Sequence, residues 1–251
     1  MIHLKLIQLK RGLGICLILI GFFISASSLL QWQIGRSAAE DMTKEEIKKY
    51  QQESETVQQS KPSSQKTTSN LHIKQQQPKQ QTISSLEKQI PSIDVKHEKG
   101  SKVALLVIPK IEQKYSVYWG TENNILKKGV GMFVSQWTTA PNGGGHTVIS
   151  GHRDTVFYRL DEMKEKDLLK LEYEDKVYTY QITKIWVTDE NDKSVIVKKA
   201  TPTLTLTTCY PFNYVGNATK RYIVQADLLN QQNKNSITNN KILQDKKRME
   251  F

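Results

Sequence analysis

The hydrophobic and polar positions divide the chain into stretches of different texture. From Gly12 to Gly35 there is no charged residue, and Arg11 and Arg36 bracket the run. Its core holds Ile15, Leu17, Ile18, Leu19, Ile20, Phe22, Phe23 and Ile24. A helix of about 20 apolar residues crosses a bilayer, so the pattern predicts one transmembrane helix within residues 1–36. Residues 37–99 have almost no apolar periodicity. Gln51, Gln52, Gln58, Gln59, Gln65, Gln75, Gln76, Gln77, Gln80 and Gln81 sit there among Ser, Thr and Lys. Such a composition cannot bury enough apolar surface to offset chain entropy. The stretch reads as a disordered tether, with room for a short helix over 43–52. It would hold the C-terminal half of the chain on the order of 45 Å from the membrane.

After Gly100 the period shortens to that of strands. Val103-Ala104-Leu105-Leu106-Val107-Ile108 is stopped by Pro109, which cannot donate to a sheet. Thr147-Val148-Ile149-Ser150 follows the turn cluster Pro141-Asn142-Gly143-Gly144-Gly145. Val177 to Val187, Thr203 to Thr208, and Tyr222 to Ala226 are rich in β-branched and aromatic residues. Only Tyr158 to Leu171, with Leu160, Met163, Leu168 and Leu171 among charges, has helical spacing. Residues 100–230 therefore predict a mainly β domain, a small barrel or sandwich. Residues 231–251 read as a polar tail.

Charge refines this organisation. The chain carries 36 Lys+Arg against 25 Asp+Glu, yet residues 101–230 hold 17 basic and 14 acidic side chains. The folded part is close to balanced, which argues against a nucleic-acid partner. Lys5, Lys10 and Arg11 precede the apolar run, and the positive-inside bias puts the N-terminus in the cytoplasm and the domain outside the cell. A cleaved signal peptide ending near Ser25-Ala26-Ser27-Ser28 is the competing reading. Secretory apolar regions span only about 7–15 residues, so the single-pass anchor fits better.

The chemistry starts from an odd thiol. Cys16 lies in the membrane run and Cys209 in the exported domain, so the two cannot pair within the chain. Cys209 is either a buried hydrophobe or a nucleophile, and its place at a strand end before Tyr210-Pro211-Phe212 favours the second. A thiol needs a base or a positive environment to react. His152 sits at the end of the Thr147 to Gly151 strand, whereas His146 follows three glycines and reads as an exposed imidazole. Arg221, opening the final strand, can hold an oxyanion or clamp a carbonyl.

These strings resemble a known family. Gly151-His152-Arg153 after a strand, Thr205-Leu206-Thr207-Thr208-Cys209 and the later Arg221 look like sortases, and the wider strings Thr147-Val148-Ile149-Ser150-Gly151-His152-Arg153-Asp154 and Cys209 to Ala218 look like class D sortases in particular. The resemblance covers about residues 100–230. It implies a closed β-barrel of about eight strands with one or two short helices, and His152, Cys209 and Arg221 as catalytic residues. It implies a cysteine transpeptidase that cleaves a Leu-Pro-Xaa-Thr-Gly or Leu-Pro-Xaa-Thr-Ala sorting signal after Thr. The partners would be secreted proteins bearing that C-terminal signal and an amine of a peptidoglycan cross-bridge or its lipid-linked precursor. No metal and no cofactor is expected.

The alternatives are a class C pilin-polymerising sortase and a non-enzymatic cell-wall-binding protein. Class C enzymes commonly carry a lid and a second apolar span, and residues 231–251 contain no such span. A papain-like protease would place Cys before His, and an L,D-transpeptidase would show a Ser-His-Gly-Cys string; neither pattern occurs.

Overall fold

The computed structural model describes residues 2–36, 39–48, 50, 89–214 and 216–236. Most of the expected tether, 51–88, and of the tail, 237–251, lie outside the described residues. Residues Ile2–Arg36 form one helix, α1. Its side chains are described over 14–30 and are exposed from Ile15 onward. Among the described residues, no helix is long and apolar enough to cross a membrane, so the span expected at 12–35 rests on the sequence.

The β texture folds into a single sheet. Its strands are β1 (Ala39–Asp41), β2 (Lys102–Ile108), β3 (Gln113–Trp119), β4 (Val130–Met132), β5 (His146–Ser150), β6 (Leu168–Tyr173), β7 (Lys176–Asp189), β8 (Thr203–Tyr210) and β9 (Lys220–Asn233). The order is β1-β3-β2-β6-β7-β9-β8-β5-β4, and β4 also pairs with β3. That last pairing closes the eight strands β2–β9 into the expected barrel, with β1 added on the edge of β3. β4 covers β3 only at Val117–Trp119, and β1 pairs with it at Gln113–Tyr115, so little free edge is left to template further pairing. Most neighbours are antiparallel, but β3–β4 and β5–β8 run parallel. Breaks in register between Thr179 and Tyr180, and between Ile182 and Lys184, mark bulges in the pairing of the two long strands β7 and β9. Bulges of this kind bend a strand and increase its twist.

Alternation fills the interior. Gln113, Tyr115, Val117 and Trp119 of β3 are buried, while Lys114, Ser116 and Tyr118 between them are half-buried. Leu106, Ile108, Ile149, Leu169, Leu171, Leu204, Leu206, Val224 and Ala226 meet them in one core, with Tyr115 edge-on to Phe157 at 5.6 Å. At β4 the backbones approach so closely that a Cβ on Gly131 would lie 2.3 Å from the Gly120 carbonyl oxygen.

Several expectations are corrected. Tyr158–Leu171 is not a helix. It holds one 3-10 turn, Leu160–Glu162, and then β6, whose residues Leu168 to Lys170 are buried on both faces, so the period-2 signal is lost. The strands β3 and β4 were not expected. Residues 89–99, whose composition groups them with the tether, pack on the barrel. Ser92 is buried and donates its N–H to the Thr138 carbonyl at 2.7 Å, and His97 Nε2 meets the Tyr173 hydroxyl at 2.8 Å. At the other end β9 runs to Asn233, past the expected boundary at 230.

His146 is the largest reversal, because it is 1 % exposed and not a solvated turn residue. Its Nδ1 lies 2.7 Å from the Val197 carbonyl and its Nε2 lies 2.8 Å from Thr205 Oγ1. A carbonyl only accepts, so Nδ1 carries the proton and Nε2 accepts from the threonine hydroxyl. Burial holds the imidazole below the ordinary histidine range. The Val197 hydrogen bond opposes this shift, and the Lys199 charge adds to it.

Two outcomes are expected. Gly131→Ala should cost about 1–3 kcal/mol of overpacking, read as a fall in Tm of roughly 2–10 °C; an unchanged Tm would contradict the close approach. A folded-state pKa held below the unfolded value of 6.5 means that the unfolded chain takes up the proton first. The stability that His146 contributes should therefore be complete above about pH 6.5 and fall as the pH drops below it. Denaturant unfolding at pH 7 and pH 5 should show a smaller acid loss in His146→Gln than in the wild type, and equal losses would contradict the assignment.

Candidate active site

The end of β8 is positioned by its two neighbours. On one side β5 runs parallel to it, with Ile149 opposite Leu206 and Ser150 opposite Thr207. The Gly151 N–H continues the ladder to the Thr207 carbonyl at 3.2 Å. The Thr208 hydroxyl donates to the Gly151 carbonyl at 2.7 Å. The chain therefore leaves β5 at the rim where β8 ends, and His152 is the second residue past β5. On the other side β9 is antiparallel, and Cys209 lies directly opposite Arg221. Directly opposed residues share a face, so thiol and guanidinium project from the same side of the sheet. Cys209, His152 and Arg221 are all half-buried. Three residues 12 to 69 positions apart in the chain thus come to one rim of the barrel.

The local sequence explains why the turn after β5 is tight. A Cβ on Gly151 would lie 2.7 Å from Phe157 Cδ2 and 2.8 Å from Val156 Cγ2. Glycine alone lets the chain pass over these two buried side chains. The Phe157 N–H then donates to the His152 carbonyl at 2.9 Å, closing the turn that carries the imidazole. Behind Cys209, Tyr210, Phe212 and Tyr222 form an aromatic cluster with centroids 5.1 to 6.2 Å apart.

Two residues with no expected role complete the rim. Glu190, at the end of β7, accepts from Arg221 Nη2 at 3.0 Å, while Nη1 donates to the carbonyls of Ala218 at 2.8 Å and Lys220 at 3.0 Å. A guanidinium has five N–H donors, and Nε–H and one Nη2–H are not used in these contacts. Arg153, the neighbour of His152, reaches the β8–β9 connection. Its Nη2 donates to the carbonyls of Tyr214 at 2.7 Å and Gly216 at 2.9 Å, and its guanidinium lies 5.6 Å from the centre of the Tyr214 ring. Arg153 had a signal in its place after Gly151-His152. Glu190, 31 positions from its partner, had none.

A thiol, an imidazole and a guanidinium on one rim supply a nucleophile, a proton carrier and a donor to developing negative charge. Together they suit acyl transfer through a covalent intermediate.

Known proteins share this outline. A sequence model described as the sortase domain matches residues 106–229. Sortase D of Bacillus subtilis (strain 168) is 43 % identical over 130 residues, which cover 51 % of this chain and 65 % of that protein. The catalytic domain of SrtD from B. anthracis is 59 % identical, with a TM-score of 0.50 over 56 % of this chain and 95 % of that one. Closed barrel, rim geometry and this identity agree: the chain belongs to the sortase family.

Proposed function

We propose that this chain is a class D-like sortase, a membrane-anchored cysteine transpeptidase with Cys209, His152 and Arg221 as its catalytic residues. The observation that carries the reading is the strand register, with Cys209 opposite Arg221 and β5 ending at the same rim as β8. Likeness to a protein named sortase D and to a catalytic domain named SrtD supports the subclass.

The reaction is built from what each group can do. Cys209 Sγ, as thiolate, attacks the threonine carbonyl of a Leu-Pro-Xaa-Thr-Gly-type or Leu-Pro-Xaa-Thr-Ala-type signal. The carbonyl electrons move to oxygen, and Arg221 with nearby backbone N–H groups stabilises that charge. As the C–N bond breaks, His152 gives its proton to the leaving amine, and a thioacyl-enzyme remains. An incoming amine, from a peptidoglycan cross-bridge or its lipid-linked precursor, attacks the thioester. His152 takes the amine's proton, the C–S bond breaks, and the thiolate is restored. Glu190 holds the Arg221 fork in place through its ion pair, and Arg153 ties the β8–β9 connection to the histidine turn.

The membrane reading rests on α1. Ile15, Leu17, Ile18, Phe22 and Phe23 are each at least 60 % exposed, and a helix apolar on every side needs an apolar surrounding. The N-terminus would be cytoplasmic and the barrel extracellular.

The test uses the full chain in detergent with both peptide types and an amine, followed by mass spectrometry of enzyme and products. A thioacyl adduct on Cys209, cleavage after Thr and transfer to the amine are expected. A folded protein with a reactive thiol that forms no adduct with either signal would contradict the reading. Cys209→Ala and His152→Ala should each lower kcat/KM by at least about a thousandfold, whereas His146→Ala should keep most of the activity of the protein that stays folded. A loss in His146→Ala equal to that in His152→Ala would overturn the choice of histidine. Arg221→Lys should cost about a hundredfold or more in kcat, because a point charge cannot reproduce the planar fork. Glu190→Gln should cost less than Arg221→Lys in the same assay, and the reverse order would contradict its supporting place.

A further inference from the structure

The outward face of the barrel carries a row of residues that solvent does not reach. Glu40, Lys114, Val107, Lys170 and Thr179 are successive register partners across β1, β3, β2, β6 and β7. Leu106 and Ile108, on either side of Val107, belong to the interior core, so Val107 points outward. Yet Val107 is 1 % exposed, Lys170 6 % and Thr179 8 %. Burial on an outer face requires a cover, because a lysine is almost never enclosed without a partner.

Over Lys114 and Lys170 the cover is the segment that comes after α1. Asp41 Oδ1 accepts from Gln113 Nε2 at 2.6 Å, and the Met42 N–H donates to the Glu112 carbonyl at 2.9 Å. Met42 itself is 6 % exposed. Thr43 and Glu46 form a reciprocal cap, Thr43 N–H to Glu46 Oε2 at 2.9 Å and Glu46 N–H to Thr43 Oγ1 at 3.3 Å, which starts a helical turn at 44–48. That turn brings Glu46 to Lys114 Nζ at 3.1 Å. Tyr50 comes next, its ring centroid 4.2 Å from Lys170 Nζ. The segment thus runs from Lys114 of β3 to Lys170 of β6, and Val107 of β2 is the register partner of both lysines. Further along, Gln89 Nε2 donates to the carbonyls of Gly144 at 3.1 Å and Lys199 at 3.0 Å, so the chain is on the barrel again by residue 89.

We propose that residues 39–48 and Tyr50 are a strap that mounts the barrel by the wall opposite Cys209, close to the end of α1, so that the chain next to α1 sets the barrel's distance from the membrane. Ala39 lies three residues after Arg36, and consecutive Cα atoms are about 3.8 Å apart, so β1 begins within about 11 Å of the helix end. In the ring order, β2 is the fourth strand from β8 in either direction. The strapped wall is therefore the back of the barrel, and the Cys209 rim faces away from it. The thiol then lies on the side of the barrel away from the end of α1, at a distance from it set by the width of the barrel. For its membrane part this rests on reading residues 12–35 as the anchor; the strap itself does not.

The experiment uses the full chain reconstituted in phosphatidylglycerol/phosphatidylethanolamine vesicles, with hydrogen exchange measured on peptides from 39–48 and from the barrel. The wild-type strap peptide should exchange at least about tenfold more slowly than in Met42→Asp/Glu46→Lys, while the barrel peptides stay unchanged. Glu46→Lys alone should speed the exchange, and pairing it with Lys114→Glu should restore protection. Wild-type exchange as fast as in the released variant would overturn the strap. A dye on Lys102→Cys, in a Cys16→Ser/Cys209→Ala background, should transfer energy to labelled lipid and lose transfer when the strap is released. Unchanged transfer would overturn the strap's control of height. A protected strap in a chain that fails to partition with vesicles would refute the anchor and leave the strap standing.

Discussion

The parallel pairing of β5 with β8 is the constraint on which the rest of the site depends. In a mostly antiparallel barrel, neighbouring strands end at opposite rims, so the residues just past them are kept apart. Parallel neighbours end at the same rim. Here that places the exit of β5 beside the last residues of β8. Because β9 is antiparallel to β8, it starts at that rim, and its second residue, Arg221, falls opposite Cys209. One parallel pair and one antiparallel pair are enough to gather three distant residues. Slipping β5 by one residue would turn each of its side chains to the other face, and the histidine turn would move with it.

The register is held by polar groups as well as by packing. His146, Thr147, Thr203, Thr205 and Thr208 are all buried along the β5–β8 seam. Their bonds leave the barrel ladder: His146 to Val197 and Thr205, Thr147 to the Thr139 carbonyl at 3.1 Å, Thr208 to the Gly151 carbonyl. A buried polar group without its partner is costly, so such a seam has one favourable register. Thr-Leu-Thr-Leu-Thr-Thr over 203–208 alternates hydroxyls with core leucines for this reason. Its apolar half was legible as a strand, while the use of its hydroxyls was not.

Legibility in the sequence tracks the range of each interaction. The β runs and the stop at Pro109 could be read because strand period and turn chemistry are local, and the short strings around His152 and Cys209 carried the family resemblance. His146 could not, because the partners that bury it are 51 and 59 positions away. A run of three glycines suggests exposure unless the β7–β8 connection that covers it is known. β6 was hidden by double burial, with Lys170 beneath the strap on one face and Leu169 and Leu171 in the core on the other. The same concealed contact explains why 39–50 looked like the start of a free tether. Its apolar contribution is small, mainly Met42, Ile47 and Tyr50, and its meaning lies in the outward-facing valine and lysine that it covers.

Under the proposed function His152 works with the Cys209 thiol at the shared rim, and the pH dependence of thiol alkylation tests this most directly. The rate of Cys209 modification by iodoacetamide would be measured across pH in the wild type and in His152→Ala, with unfolding controls at each pH. A different profile is expected in His152→Ala, since a thiol reacts as its thiolate and a neighbouring base or positive group promotes that form. Superimposable profiles from two folded proteins would contradict this reading.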